Sequence, residues 1–129
     1  MRLNDTEISG IAQKLIAAHK NLAPIEPLTE TYPGITCEDA YRIQLLTIDA
    51  WKAEGRKVVG KKIGITSMPI QEMLGVDEPD YGHLMDGMLA YEDFGMPAST
   101  FIAPRVEGEI AFVLDRDLTG PGVTPTDVI

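Results

Sequence analysis

The spacing of apolar residues changes once along this chain, near Gly55, and that change constrains the fold more than any single motif. Before it, Ile8, Ile11, Ala12, Leu15 and Ile16 fall at i, i+3, i+4, i+7 and i+8, which is one face of a helix. Residues 5–22 are expected to be helical, with Asn4 or Asp5 as N-cap. A second helix is expected to begin at Thr36, with Glu38 and Asp39 at the positive end of its dipole. It should run to about Glu54, where Gly55 stops it. Ala40, Ile43, Thr47 and Ala50 line one side of it and Tyr41, Leu45 and Ile48 the next, a broad face that calls for burial with Trp51 as anchor. Between the two helices, Pro24, Pro27 and Tyr32-Pro33-Gly34 make residues 23–35 an extended connector.

After Gly55 the period shortens. Residues 57–66, Lys-Val-Val-Gly-Lys-Lys-Ile-Gly-Ile-Thr, read as a strand whose glycines bend it or admit another backbone or a ligand. Ser67 can cap a short helix over 68–74, with Pro69 in its first turn and Gly75 at its end. Residues 76–82 read as an acidic, turn-rich loop, and 84–98 as short strands or turns. Residues 101–114 are expected to form another strand, and 115–122 to turn away from it. Thr124-Pro125-Thr126-Asp127 has the form of a helix start, so the sequence looks cut rather than finished there.

On the expected strand Pro104-Arg105-Val106-Glu107-Gly108-Glu109-Ile110-Ala111-Phe112-Val113-Leu114, side chains alternate with a period of two, so Glu107 and Glu109 share a face, roughly 6–7 Å apart. Two unpaired carboxylates on a buried face repel and are costly to desolvate. One divalent ion would answer both, since carboxylate oxygens are the ligands that Mg²⁺, Mn²⁺ and Ca²⁺ prefer. The plainer alternative is a solvated edge, or a pair answered by Arg105 and lysines elsewhere. Lys61 and Lys62 offer an ammonium for an anionic substrate, and a lysine in an apolar strand can have its pKa lowered for proton transfer. Equally, the two lysines simply alternate, one into water and one snorkelling. Asp80 is either an acid or base on a mobile loop or a turn former.

Other classes recede. At 129 residues with 44% apolar and 24% charged residues, the chain has the length and composition of one globular domain. A net charge of −9 with no basic run argues against nucleic acid or an anionic membrane as partner. A single cysteine, Cys37, cannot form an internal disulfide and reads as a packed or half-exposed residue. No apolar run has the length of a signal peptide core or a membrane span. Neither His19 nor His83 reads as a ligand, and the methionines at 68, 73, 85, 88 and 96 read as gap fillers. No phosphate loop, zinc-type cysteine and histidine set or nucleophilic serine motif is present.

Four linked stretches then carry a resemblance: Gly60-Lys61-Lys62-Ile63-Gly64-Ile65-Thr66-Ser67, Gln71-Glu72-Met73-Leu74-Gly75, Val76-Asp77-Glu78-Pro79-Asp80-Tyr81-Gly82, and residues 104–112. In order and spacing they resemble the hydratase/decarboxylase family of the fumarylacetoacetate hydrolase superfamily, and the likeness corresponds to roughly the first half of a family member. The resemblance implies an α+β fold, with an N-terminal helical segment at 1–55 and, over 56–129, the start of a metal-binding β-roll. It implies Mg²⁺ or Mn²⁺ held by Glu107, Glu109 and a third carboxylate beyond Ile129, with Lys62 and Asp80 as catalytic residues. The implied reaction is addition of water to a 2-hydroxydienoate through its 2-oxo tautomer, in aromatic meta-cleavage catabolism in the cytoplasm. A small 2-oxo acid substrate, a homo-oligomer and a complex with the sister decarboxylase follow as expected partners. Three other readings stay open: the decarboxylase activity itself, a weaker one as a carbon–carbon hydrolase of acylpyruvates, and a catalytically incomplete piece that acts only in binding or assembly.

Overall fold

The computed structural model describes residues 2–128. It is α+β: helices α1 (Asp5–Asn21), α2 (Leu28–Thr31) and α3 (Cys37–Ala53), strand β1 (Val58–Gly64), helix α4 (Met68–Leu74) and strand β2 (Asp80–Met85).

Both long helices begin with reciprocal caps. The Asn4 side chain accepts from the Glu7 N–H at 3.0 Å while Glu7 accepts from the Asn4 N–H at 2.9 Å. Thr36 and Asp39 repeat the arrangement at the start of α3, at 3.2 and 3.3 Å. Each box satisfies two N–H groups that the helix start would otherwise leave unpaired. At the other end of α3, Gly55 adopts φ +92°, a left-handed position that glycine takes without a steric cost.

The core lies between α1 and α3, where Ile8, Ile11, Ala12 and Ile43 are each no more than 3% exposed. Each buried isoleucine contributes about 2 kcal/mol from removal of apolar surface. The connector is not wholly extended as expected: residues 28–31 form α2, and Leu28, Tyr32 and Ile35 pack on the cluster. Those three apolar residues gain burial by covering the side of the helix pair that would otherwise stay wet. The expected face of α3 is also narrower, because Ala40 and Leu45 remain exposed. Trp51 is half-buried, with the His19 ring centroid at 5.2 Å and the Arg56 guanidinium over its ring at 4.7 Å.

Asp39 is fully buried. Its carboxylate accepts from the Thr36 hydroxyl at 2.9 Å, the Leu3 N–H at 3.5 Å and Arg42 at 3.3 Å. Arg42 also donates to the Leu3 carbonyl and pairs with Asp5. Burial alone would raise the Asp39 pKa, but the bonds from Thr36, Leu3 and Arg42 together hold it below the ordinary carboxylate value.

β1 and β2 pair antiparallel, Lys61 opposite His83, Lys62 opposite Gly82, Ile63 opposite Tyr81 and Gly64 opposite Asp80. Residues 80–82 therefore belong to a strand and not to the expected loop. Tyr81, His83 and Met85 alternate as one face, and that face docks on α3. The Tyr81 ring stacks on Tyr41 at 4.9 Å, the Gln44 amide donates to the Tyr81 carbonyl at 3.1 Å, and Met85 is fully buried.

The expected strand over 101–114 does not form among the described residues. A strand needs a partner for its N–H and C=O groups, and the sheet described holds β1 and β2 alone. Val106 and Val113 are 99% exposed. Four of the five methionines expected to fill gaps are exposed, Met85 being the exception. Short 3-10 turns occur at Asp86–Met88, Ala98–Thr100 and Pro125–Asp127. The last matches the expected helix start, whose final residue, Ile129, lies outside the described residues. No described helix is long and apolar enough to cross a membrane.

Candidate functional site on a glycine floor

The register of β1 and β2 separates the adjacent lysines. Lys61 faces α3 with Tyr81 and His83, its ammonium 4.8 Å from the Tyr81 ring centroid and 3.3 Å from His83 Nε2. His83 Nδ1 lies 2.8 Å from Gln44 Oε1. An amide oxygen only accepts and an ammonium only donates, so the imidazole is neutral with its proton on Nδ1. Burial, with the charges of Lys61 and Lys52, pushes the His83 pKa down, in keeping with that state.

Lys62 stands on the opposite face. Gly60 and Gly64 flank it along β1, and Gly82 faces it across the pair. Three positions without side chains thus form a floor around one lysine, with the Leu84 side chain against Gly60, the Asp80 carboxylate over Gly64 and open space at Gly82. Asp80, diagonal to Lys62 on this face, belongs to a pair of positions whose Cβ atoms lie roughly 7–8 Å apart in a regular sheet. A Cβ on Gly64 would collide with the Asp80 carboxylate, which holds its present place only because position 64 has no side chain. The floor ends at Ile65, which takes φ +55°, uncommon for a β-branched residue. The Gln71 side chain donates to the Ile65 carbonyl at 2.8 Å and ties this corner to α4.

The chain then returns over the floor. Lys62 Nζ lies 2.7 Å from Glu109 Oε1 and 3.1 Å from Glu107 Oε2. The two glutamates converge without the expected strand, and a lysine answers them, as the plainer reading of the sequence allowed. Hydrogen bonds from Lys62 to Glu109 first and Glu107 second raise the lysine pKa. The lowering that one of the two sequence readings allowed does not occur, because Lys62 is half-exposed and doubly paired instead of desolvated and alone. At neutral pH it is a fixed ammonium, suited to donating hydrogen bonds and offsetting negative charge.

Among the described residues no group of three or more histidine, cysteine, aspartate or glutamate side chains gathers to hold a metal. Glu107 and Glu109 nevertheless offer carboxylate oxygens aimed at one cationic point. That donor set fits a hard divalent ion as part of its coordination sphere, with further oxygens still needed. Sequence reasoning allowed that the glycines of β1 admit a ligand but missed Gly82 opposite Lys62, the Gln71 corner and the Gln44, His83 and Lys61 chain. The alternation of Tyr81, His83 and Met85 carried the signal for β2.

No protein-family model matches the sequence. Individual relatives do. The chain is 48% identical over 120 residues to a 2-hydroxyhexa-2,4-dienoate hydratase of Comamonas testosteroni, covering 91% of this chain and 45% of that protein. It is 44% identical over 128 residues to a 2-hydroxypent-2,4-dienoate hydratase of Pseudomonas putida, covering 98% of this chain and 58% of that protein. The chain therefore spans about half the length of these relatives. Among solved structures, the 4-oxalocrotonate decarboxylase of Pseudomonas putida G7, complexed with magnesium and adipate, superposes with a TM-score of 0.63 at 33% identity. That match covers 66% of this chain and 32% of the decarboxylase. The same decarboxylase has also been solved with calcium and acetate.

Proposed function

We propose that this chain, a homologue of the 2-hydroxydienoate hydratases over nearly its whole length, serves a metal-dependent hydratase that converts a 2-hydroxy-2,4-dienoate to a 4-hydroxy-2-oxo acid. The observation that carries the reading is identity of 44–48% across more than nine-tenths of the chain. The convergence of Lys62, Glu107 and Glu109 beside Asp80 supports it.

In this reading Glu107 and Glu109 hold Mg²⁺ or Mn²⁺ together with a third carboxylate from outside residues 1–129. A divalent ion held there would supply Lewis-acid stabilisation of the negative charge that the substrate develops. At Gly82, where nothing lies within 4 Å of the position a Cβ would take, the floor leaves room for a flat conjugated acid against the sheet. Lys62, protonated at neutral pH, donates to the C2 oxygen and offsets the charge of the enolate. Asp80 handles the proton at the far end of the dienol. The 2-hydroxyl proton is lost and C5 gains one, which gives the 2-oxo-3-enoate. Water then adds across the C3=C4 bond, hydroxyl to C4 and hydrogen to C3. Residues 56–129 form the start of a β-roll completed by further strands, in a cytoplasmic homo-oligomer able to associate with the sister decarboxylase.

The structural likeness to 4-oxalocrotonate decarboxylase favours a second reading, loss of CO₂ from a 2-oxo-enedioate on the same groups. Lower identity and coverage rank it second. Ultraviolet absorbance of 2-hydroxypenta-2,4-dienoate, followed with and without Mg²⁺ on this chain and on a longer version, tests both. Metal-dependent decay to 4-hydroxy-2-oxopentanoate supports the hydratase. An untouched dienoate with CO₂ release from 2-oxohex-3-enedioate replaces it with the decarboxylase.

A further inference from the structure

We propose that the Lys62 ammonium is an internal counter-ion that competes with the divalent metal for Glu107 and Glu109, so that metal loading and release of Lys62 are one event. The inference rests on the reading of those glutamates as metal ligands and adds to it a role for the lysine before any substrate arrives.

Lys62 Nζ already occupies the point on which both carboxylates converge, at 2.7 and 3.1 Å. An ammonium has three donors and no acceptor, so it satisfies acidic oxygens as a compact cation would, and can give nothing to a metal. Magnesium needs its oxygens at about 2.0–2.1 Å in near-octahedral order, and it cannot share that point with a second positive centre. Lys61 cannot replace the missing charge, because the strand turns it to the other face against His83 and Tyr81. Once displaced, Lys62 remains on the floor with Gly64, Gly82 and Asp80, free to donate to an anionic substrate. Without metal it is parked on the glutamates, and the site is disarmed.

The test is Mg²⁺ titration by calorimetry, repeated with Mn²⁺ by electron paramagnetic resonance, at neutral pH and low salt. It uses the 129-residue chain and a longer version that carries the third carboxylate, each unaltered and as Lys62→Met, Lys62→Gln, Lys62→Arg and the double substitution Glu107→Gln with Glu109→Gln, all checked by circular dichroism. The expected result is affinity at least threefold higher in Lys62→Met and Lys62→Gln, wild-type affinity in Lys62→Arg, and loss of binding in the glutamate double variant. In the unaltered chain, Mg²⁺ should speed acetylation of Lys62, read by peptide mass spectrometry, and leave Lys61 unchanged. Equal or weaker metal affinity in both neutral variants, or a Lys62 acetylation rate indifferent to Mg²⁺, overturns the competition while leaving the metal site standing. Metal binding that ignores the glutamate substitutions, or is absent throughout, overturns the metal-site reading and the competition with it.

Discussion

Residues 3–53 and residues 101–114 both carry apolar side chains at regular intervals, yet the first stretch builds helices around a core and the second builds no element. The helical stretch contains its own complement: Ile43 of α3 meets Ile8 and Ile11 of α1, and the connector closes the side. The later stretch has Val106, Ile110, Phe112 and Val113 at the spacing of a strand, all of them exposed. An α-helix satisfies its backbone internally, whereas a strand borrows every bond from a neighbour. Periodicity therefore states a requirement, and only a partner within reach fulfils it.

That contrast can be broken most directly by truncation of side chains. Ile43→Ala should cost about 3 kcal/mol of unfolding free energy, and Val113→Ala no more than about 0.5 kcal/mol, both by urea denaturation. Similar costs would mean that residues 101–114 are packed after all. A second contrast is acid sensitivity. The Asp39 pKa is depressed in the folded chain, so its stabilisation is present above the ordinary carboxylate value of about 3.9 and is lost as pH falls through the folded value. Stability of the helical part should fall steeply below about pH 4, and Asp39→Asn should flatten that slope in thermal melts.

A smaller effect concerns the tether between the two regions. Lys62→Met should raise backbone motion across residues 107–109, read by NMR relaxation, while shifting the melting temperature by under about 2 °C, because exposed ion pairs add little to global stability. Unchanged relaxation would show that the glutamates are held by something else. The finest effect lies on the other face of the sheet. The His83 imidazole should titrate below its ordinary value of about 6.5 in NMR, since burial and the charges of Lys61 and Lys52 oppose a second proton. Lys61→Met should move that midpoint upward. With the folded pKa lowered, His83 favours folding above the ordinary histidine value, and that contribution is lost as pH falls through the folded pKa.

Helices α1 and α3 were readable in the sequence almost to the residue, because caps, a stop glycine and a 3.6-residue period are local signals, whereas the single turn of α2 was read as extended chain. α4 was equally legible from Ser67, Pro69 and Gly75. Less visible was β2, whose first residues Asp80, Tyr81 and Gly82 resemble a turn until Gly64 and Ile63 are placed opposite them. The pairing of Lys62 with Glu107 and Glu109 spans over forty positions, and no local pattern announces which lysine will answer which acid. The direction of the lysine pKa stays open in the sequence for the same reason: a strand residue can be desolvated or paired until its neighbours across the fold are known.

Gly64 gives these contacts a genetic meaning. Every codon change that replaces it installs a Cβ where the Asp80 carboxylate now sits. That carboxylate is the tip of a short side chain, so it can swing aside while the backbone pairing of β1 and β2 persists. Gly64→Ala should then be a separation-of-function allele, yielding folded protein in normal amount with one acid turned away from the floor. In a mutational scan, abundance at position 64 would tolerate alanine, and catalytic selection would not.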